Sequence, residues 1–344
     1  MTADVIDDIA NPPMSNCPEM PVAAAEPRTG PGDCIQRKYQ WYRYFRSVGN
    51  IIRLEPPMLI VTGATGHLGS LIVDRLLERV PADRIGVSVR DVSKAARLAE
   101  RGVRVRAGDF TEPAGLKRAF EGAERVLVVS AGIRGDGALA ANSAAIDAAR
   151  EAGAQHILYT SHQAASPASL FPPQKVHAAT EERLKQQGVP YTALRNGFYA
   201  STLGYYIGAA LKTGTLAVPQ DGPVSWTAHE DLAEAAASAL AEDGALEGIT
   251  PPLTAPHTLD FADVAEILSR ITGRTITRVV MDDNEWTSAA VAGGMPRPAA
   301  EFSLTMFAAS HKGEFNATDP TLEATIGHPA KTVHEVLEAA LRSR

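Results

Sequence analysis

From Met58 to Gly69 the chain reads Met-Leu-Ile-Val-Thr-Gly-Ala-Thr-Gly-His-Leu-Gly, an apolar run that passes straight into a Gly-x-x-Gly-x-x-Gly turn. Leu68, Leu71, Ile72, Leu76 and Leu77 then recur at helical spacing. Strand, glycine turn and helix in that order favour a bound dinucleotide. Gly63 permits the tight turn off the strand, Gly66 lets the backbone approach a pyrophosphate, and Gly69 lets helix and strand pack closely. The N–H groups that open the helix then face the phosphates, with Thr65, His67 and Leu68 in the same turn. The spacing alone also suits an ordinary strand-to-helix turn, so the apolar flanks carry the argument.

Two further strand ends extend the reading. Arg84 to Val89 is expected to be a second strand ending in Arg90, where an adenosine ribose is read. A cation there pairs with a 2′-phosphate, so Arg90, with Lys94 one helical turn on, favours NADPH over NADH. The neighbouring Asp91 suits a ribose or the cap of the next helix. Val103 to Arg106 reads as a third strand leading to Asp109 and Phe110, placed to meet the adenine edge. Asp109 and Thr111 also suit a helix start before Pro113.

Arg125 to Val129 is continuously apolar, as a strand buried on both faces should be, and ends in the small residues Ser130, Ala131 and Gly132. An alanine-rich helix over 137–152 and a strand from His156 to Thr160, ending at Thr160-Ser161, follow. Alternating strands and helices at this spacing make an α/β Rossmann-type, doubly wound parallel sheet. Ligands of such sheets bind beyond the carboxyl ends of the strands, so these segments should line one crevice.

The 344 residues, 45% hydrophobic and 21% charged, suffice for about two domains with a sizeable core. A net charge of −7 argues against nucleic-acid binding. Cys17 and Cys34 both precede Met58, which leaves the body without a disulfide or a thiol nucleophile and suits a reducing, cytoplasmic compartment. No membrane span is expected, and the acidic opening lacks the order of a secretory signal. Pro12, Pro13, Pro18, Pro21, Pro27 and Pro31 interrupt residues 1–57, which are expected to be a disordered extension. Within it, Lys38, Arg43 and Arg46 alternate with Tyr39, Trp41, Tyr42, Tyr44 and Phe45, a mixture suited to a lipid surface or a partner. The plainer alternatives are an appended tail, or an upstream extension of a protein that begins near Met58.

None of the eight tyrosines has a lysine four residues on, so the Tyr-x-x-x-Lys proton relay of ordinary short-chain dehydrogenases is absent. No histidine spacing favours a metal. Thr227 and Glu230 read as a capping box for a helix through Leu240, with Asp231 in its first turn. The catalytic candidates are Ser161, His177, Phe198 and Tyr199. Asn196 and Gly197, followed by the two aromatics, end a strand over 189–194 and suit a nicotinamide amide on one side and a flat substrate on the other; a helix-entry turn whose aromatics fill the core is the alternative. His177, expected to open the preceding helix, suits proton donation or carboxamide orientation, and equally an ordinary surface position.

These residues together resemble the NmrA-like branch of atypical short-chain dehydrogenases, closest to the bacterial quinone oxidoreductase 2 and triphenylmethane reductase type. The resemblance rests on Ile60 to Gly69, Val89-Arg90, Tyr159-Thr160-Ser161, His177-x-x-Thr180-Glu181, Tyr191 to Tyr199 and Ile326-Gly327-His328-Pro329. It implies NADPH at the glycine turn with Arg90 at the 2′-phosphate, and direct hydride transfer to a quinone, dye or related conjugated electrophile, with no flavin or metal. Isoflavone-reductase-like cousins place a catalytic lysine where this chain has His177, so that chemistry does not carry over. The other reading is a non-catalytic, redox-sensing regulatory protein that binds NADP(H), as the family's namesake does. The nucleotide domain is expected over 58–195 with 226–249 returning to it, and a smaller C-terminal substrate lobe over 196–225 and 250–344. In that lobe Phe261, Val264, Ile267 and Leu268 suggest one helix, and Val333, Val336, Leu337 and Leu341 another. The expected partner is a small-molecule electron acceptor; a homodimer is compatible with the sequence.

Overall fold

The computed structural model describes residues 58–132, 135 and 137–342. The expected disordered extension, its aromatic and basic stretch and both cysteines lie outside the described residues.

Strands β1 (Met58–Thr62), β2 (Ile85–Val89), β3 (Arg104–Ala107), β4 (Ala123–Val128), β5 (His156–His162) and β6 (Tyr191–Asn196) alternate with helices α1 (His67–Leu77), α2 (Ala96–Glu100), α3 (Pro113–Ala119), α4 (Gly137–Glu151) and α5 (Pro172–Lys185). The strands pair in parallel in the spatial order β3-β2-β1-β4-β5-β6, and β10 (Gly248–Ile249) adds a seventh beside β6. Every residue of β1 and β2 is buried, which suits their largely apolar sequences, with Thr62 and Ser88 the buried polar members. The order reverses between β1 and β4, and this is where a ligand crevice forms in a sheet of this kind.

Alternation along β1 feeds two cores. Leu59 and Val61 join Ile72 and Leu76 of α1 with Leu232, Ala235, Ala236 and Leu240 of α7 (His229–Ala241). Met58 and Ile60 face the opposite core, with Val126, Val128, Ile146, Tyr159 and Leu184. A third cluster is aromatic. It gathers Phe198 of β7 (Phe198–Tyr199), Trp226 of β9 (Trp226–Thr227), Phe261 of α8 (Phe261–Thr272), Phe307 of α10 (Arg297–His311), and Phe315. Around it lie α6 (Ile207–Thr213), the parallel pair β8 (Thr215–Val218) and β11 (Thr277–Val280), α9 (Asp283–Ala292) and α12 (Val333–Arg342).

Three details differ from expectation. His177 does not open its helix: α5 starts at Pro172, because proline suits a first turn whose N–H groups have no helical acceptor. The Thr227–Glu230 capping box does not form. The cap of α7 is Ala228 without a side-chain bond, while the Thr227 hydroxyl donates to Ser225 O and accepts from Ala255 N–H. Residues 250–344 do not all serve the smaller lobe. Leu253, Ala255, Ala330, and Leu322 and Ile326 of α11 (Thr321–Ile326) pack into the core shared by α1 and α7.

Candidate active site

Gly63 leaves β1 with a φ of +63°, the left-handed region that glycine enters freely. Its N–H reaches Ser88 O of the adjacent strand at 3.2 Å, and Gly66 N–H returns to Gly63 O at 2.9 Å. At Gly69 a Cβ would lie 2.3 Å from Gly63 O, so only glycine lets α1 approach the turn. Gly66, which caps α1 without a side chain, is exposed together with Thr65 and His67. The first turn of α1 therefore offers N–H donors to an outside acceptor. Leu68 is buried in the core and contributes to that rim through its backbone alone.

The neighbouring strand ends share this edge. Arg90 is exposed and has no ion-pair partner among the described residues. Asp91 accepts bonds from the Ser93 hydroxyl at 2.6 Å and from Ser93 N–H at 3.0 Å, which hold its carboxyl below the usual range. It thus caps the short turn Val92–Ala95 that carries the exposed Lys94, beside the exposed Arg90 at this strand end. Asp109 is spent in the same way on Thr111, whose N–H and hydroxyl both lie 2.8 Å from Oδ1. Phe110 is half-buried against the face lined by α3 and α4.

Beyond β4, Ser130 N–H donates to Thr160 Oγ1 at 2.8 Å, Ala131 N–H donates to Asn142 Oδ1 at 2.9 Å, and Gly132 is exposed. Asn196 ends β6 with both amide atoms buried and, among the described residues, no close hydrogen-bond partner, although the Tyr199 hydroxyl is near enough to interact. At Gly197 a Cβ would lie 2.1 Å from Thr227 Oγ1, so this turn also requires glycine.

The four catalytic candidates fare differently. Ser161 is turned away from a reacting role, because its buried hydroxyl donates to Glu181 Oε1 at 2.6 Å, and Glu181 holds Arg195 through contacts of 2.9 and 2.7 Å. Phe198 belongs to the aromatic cluster of the smaller lobe. It is buried edge-on against Trp226, Phe315 and His162, and fills the aromatic core. Tyr199 packs on His229 with ring centres 4.2 Å apart, and His229 stacks on His67 at 4.3 Å and 23°. This ladder joins the glycine turn to β7 and to the start of α7. Burial, aided by His67, pushes the pKa of His229 down to about 4, which keeps its ring neutral.

His177 lies within α5, its Nδ1 2.8 Å from Tyr159 Oη, and burial brings its pKa down to about 4. The sequence does not single out His162, because β5 runs two residues past the expected end at Thr160. His162 is its last residue; Nδ1 accepts from Gln174 Nε2 at 2.8 Å and Ala164 N–H at 3.3 Å. Burial, aided by His177, holds its pKa well below the ordinary value. The strand ends thus carry neutral imidazoles beside an aromatic wall, and an anion-ready glycine turn beside an exposed arginine. Among the described residues no cluster of three metal-ligating side chains exists and no helix is long and apolar enough to cross a membrane.

The sequence pattern of the NmrA-like family matches residues 57–339. Quinone oxidoreductase 2 of Escherichia coli (strain K12) is 32% identical over 281 residues, 81% of this chain and 96% of that protein. A structure of the E. coli NADPH-dependent quinone oxidoreductase QOR2 complexed with NADPH matches with a TM-score of 0.78 at 31% identity, covering 83% of this chain and all of the other. Citrobacter sp. triphenylmethane reductase complexed with NADP(H) matches at 34% identity and a TM-score of 0.77, over 82% of this chain and 99% of its own. An NAD(P)H azoreductase of Xenophilus azovorans is 31% identical over 284 residues, 82% of this chain and 97% of that protein.

Proposed function

The chain belongs to the NmrA-like family, and on that premise we propose that it is an NADPH-dependent oxidoreductase whose acceptor is a quinone, a dye or a related conjugated electrophile. The observation that carries this reading is the glycine turn at the head of α1 with the exposed Arg90 at the end of the adjacent strand. The residues fit the cofactor. Gly63, Gly66 and Gly69 leave room for a pyrophosphate, Arg90 and Lys94 match a 2′-phosphate, and the buried amide of Asn196 suits a carboxamide. Ser130, Ala131, Gly132 and Thr160 border the same crevice, whereas Asp109 and Phe110 supply its adenine end.

The bound dinucleotide supplies a hydride. The chain's own contribution is to orient donor and acceptor and to keep the aromatic side dry, which suits acceptors that need no dedicated acid and agrees with the missing Tyr-x-x-x-Lys pair. Residues 58–195 with 226–249 bind the nucleotide in this reading, and the aromatic lobe shapes the acceptor end. The relatives reduce quinones, azo compounds or triphenylmethane dyes according to their names, and these acceptors share a conjugated system that takes up a hydride.

One observation favours a second reading, an NADP(H)-binding regulatory protein without turnover: the buried Phe198 ring packs against Phe171, Trp226 and Phe315. Stopped-flow absorbance with NADPH and NADH in parallel, against benzoquinone, naphthoquinone and a triphenylmethane dye, separates the two. Acceptor-dependent NADPH oxidation is expected; tight binding without turnover would favour the sensor.

A further inference from the structure

A line of buried hydrogen bonds runs inward from the end of β4. Ala131 N–H lies 2.9 Å from Asn142 Oδ1 on α4, Asn142 Nδ2 lies 3.1 Å from Tyr159 Oη on β5, and Tyr159 Oη lies 2.8 Å from His177 Nδ1 on α5. Each link dictates the next. A backbone N–H only donates, so the amide oxygen of Asn142 faces Ala131 and its N–H faces the phenol. The phenol oxygen accepts that bond and has a single hydrogen to give; its two remaining neighbours are His177 Nδ1 at 2.8 Å and the Thr180 hydroxyl, which already donates to Val176 O, and in the arrangement proposed below the hydrogen goes to Nδ1. Nδ1 is then an acceptor, and the hydrogen of the neutral ring sits on Nε2. Asn142 and Tyr159 are both buried, so water does not compete for these bonds.

The surroundings keep His177 uncharged. His162 on β5, at 6.1 Å between ring centres, is itself neutral; Glu181 is committed to Ser161 and Arg195; the Thr180 hydroxyl donates to Val176 O. Among the described residues only Nδ1 of His177 has a protein hydrogen-bond partner, and Nε2 is left for a ligand.

Building on the reductase reading, we propose that Asn142 and Tyr159 are positioning residues that hold His177 in its Nε2–H tautomer, and that this N–H donates a hydrogen bond to the carbonyl oxygen of a quinone acceptor as it gains charge. The quinone takes up a hydride with its two electrons, the dinucleotide is oxidised, and the resulting oxyanion is held by Nε2–H. The proton that completes the hydroquinone comes from water. Full transfer from His177 would leave an imidazole anion or a buried Tyr159 phenolate, and burial raises the cost of the latter. A cationic triphenylmethane dye differs in kind: hydride addition at its central carbon yields a neutral product, so no oxyanion needs the donor.

The test is heteronuclear NMR of histidine-labelled, NADPH-loaded wild type and Tyr159→Phe, with His177→Gln to identify the resonance, alongside kcat and KM for a benzoquinone and a cationic triphenylmethane dye. The wild type is expected to show His177 protonated on Nε2, and Tyr159→Phe a mixture of tautomers. In that variant kcat for the quinone should fall about tenfold, with NADPH affinity and dye turnover held within about twofold. An Nδ1-protonated wild-type ring, an unchanged tautomer in the variant, or equal losses for quinone and dye would overturn the proposal. A wild type that oxidises NADPH with neither acceptor would sink the reductase reading and the donor role with it, while the tautomer stands or falls on the spectra.

Discussion

At Gly69 a single added methyl would sit 2.3 Å from Gly63 O and 2.8 Å from Gly63 C, both backbone atoms that cannot move aside cheaply. Gly69→Ala is expected to cost on the order of 1–3 kcal/mol of stability, the size of an overpacked contact, read as a fall in Tm without ligand. Gly66 is exposed and its Cβ would meet only Gly63 O at 3.3 Å. Gly66→Val should therefore spare the fold while blocking the pyrophosphate; retained NADPH binding by calorimetry would remove the glycine-turn argument. Asp91 spends its carboxylate on Ser93, so in the proposed reading Arg90 is the charge that meets the 2′-phosphate at the end of β2. Arg90→Ala should weaken NADPH binding by roughly 1–3 kcal/mol, the value of a charged hydrogen bond, and leave NADH unchanged. Equal losses for both nucleotides would refute the phosphate role.

Among the elements, α7 shows how a local motif yields to a distant partner. Thr227 and Glu230 have the spacing of a capping box, yet the Thr227 hydroxyl serves Ser225 and Ala255, and Glu230 pairs with Lys331. The residue that ties this helix down is Asp231. It is buried, with its pKa raised by that burial, and accepts Lys331 N–H at 2.7 Å, a partner 100 residues away. Asp231→Ala leaves that amide unsatisfied and should cost about 1–3 kcal/mol, whereas Glu230→Gln should shift stability by under about 1 kcal/mol. Chemical denaturation of both variants checks the contrast; a larger loss for Glu230→Gln would make the Glu230–Lys331 ion pair the stronger anchor of the helix. The same distance effect explains α11, whose Leu322 and Ile326 reach back to the nucleotide-side core although their sequence places them late in the chain.

For the molecule as a whole, several histidines share one consequence. Burial lowers the pKa of His156, His177 and His229 to about 4 and holds that of His162 well below its ordinary value. The unfolded chain binds these protons near pH 6.5 while the folded chain does not, so stability should fall as the pH drops from about 6.5 to 4. For His177 the full shift corresponds to about 3 kcal/mol, and His156 and His229 act in the same direction. Urea midpoints across that window test the sign, and a flat profile would show that the folded state takes up these protons freely. His177→Gln should flatten part of the slope.

What the sequence determined by itself was whatever depends on neighbours within a few residues. The glycine turn, the largely apolar strands, the parallel α/β order and the cation after β2 are all such features, because backbone geometry and burial period act locally. The core helix α8, with Phe261, Val264, Ile267 and Leu268 all buried, belongs with them. Tertiary structure alone decided which polar groups remain free. Ser161 and Thr160 are adjacent hydroxyls of similar appearance, yet one is consumed by Glu181 from α5 and the other bonds Ser130 at the crevice. Phe198 and Tyr199 are likewise adjacent, but opposite facing sends one into the aromatic core and the other onto His229. Hydrogen bonds and ring contacts of that kind saturate over a few ångströms between segments far apart in the chain, so a residue's chemical availability follows from the packing around it.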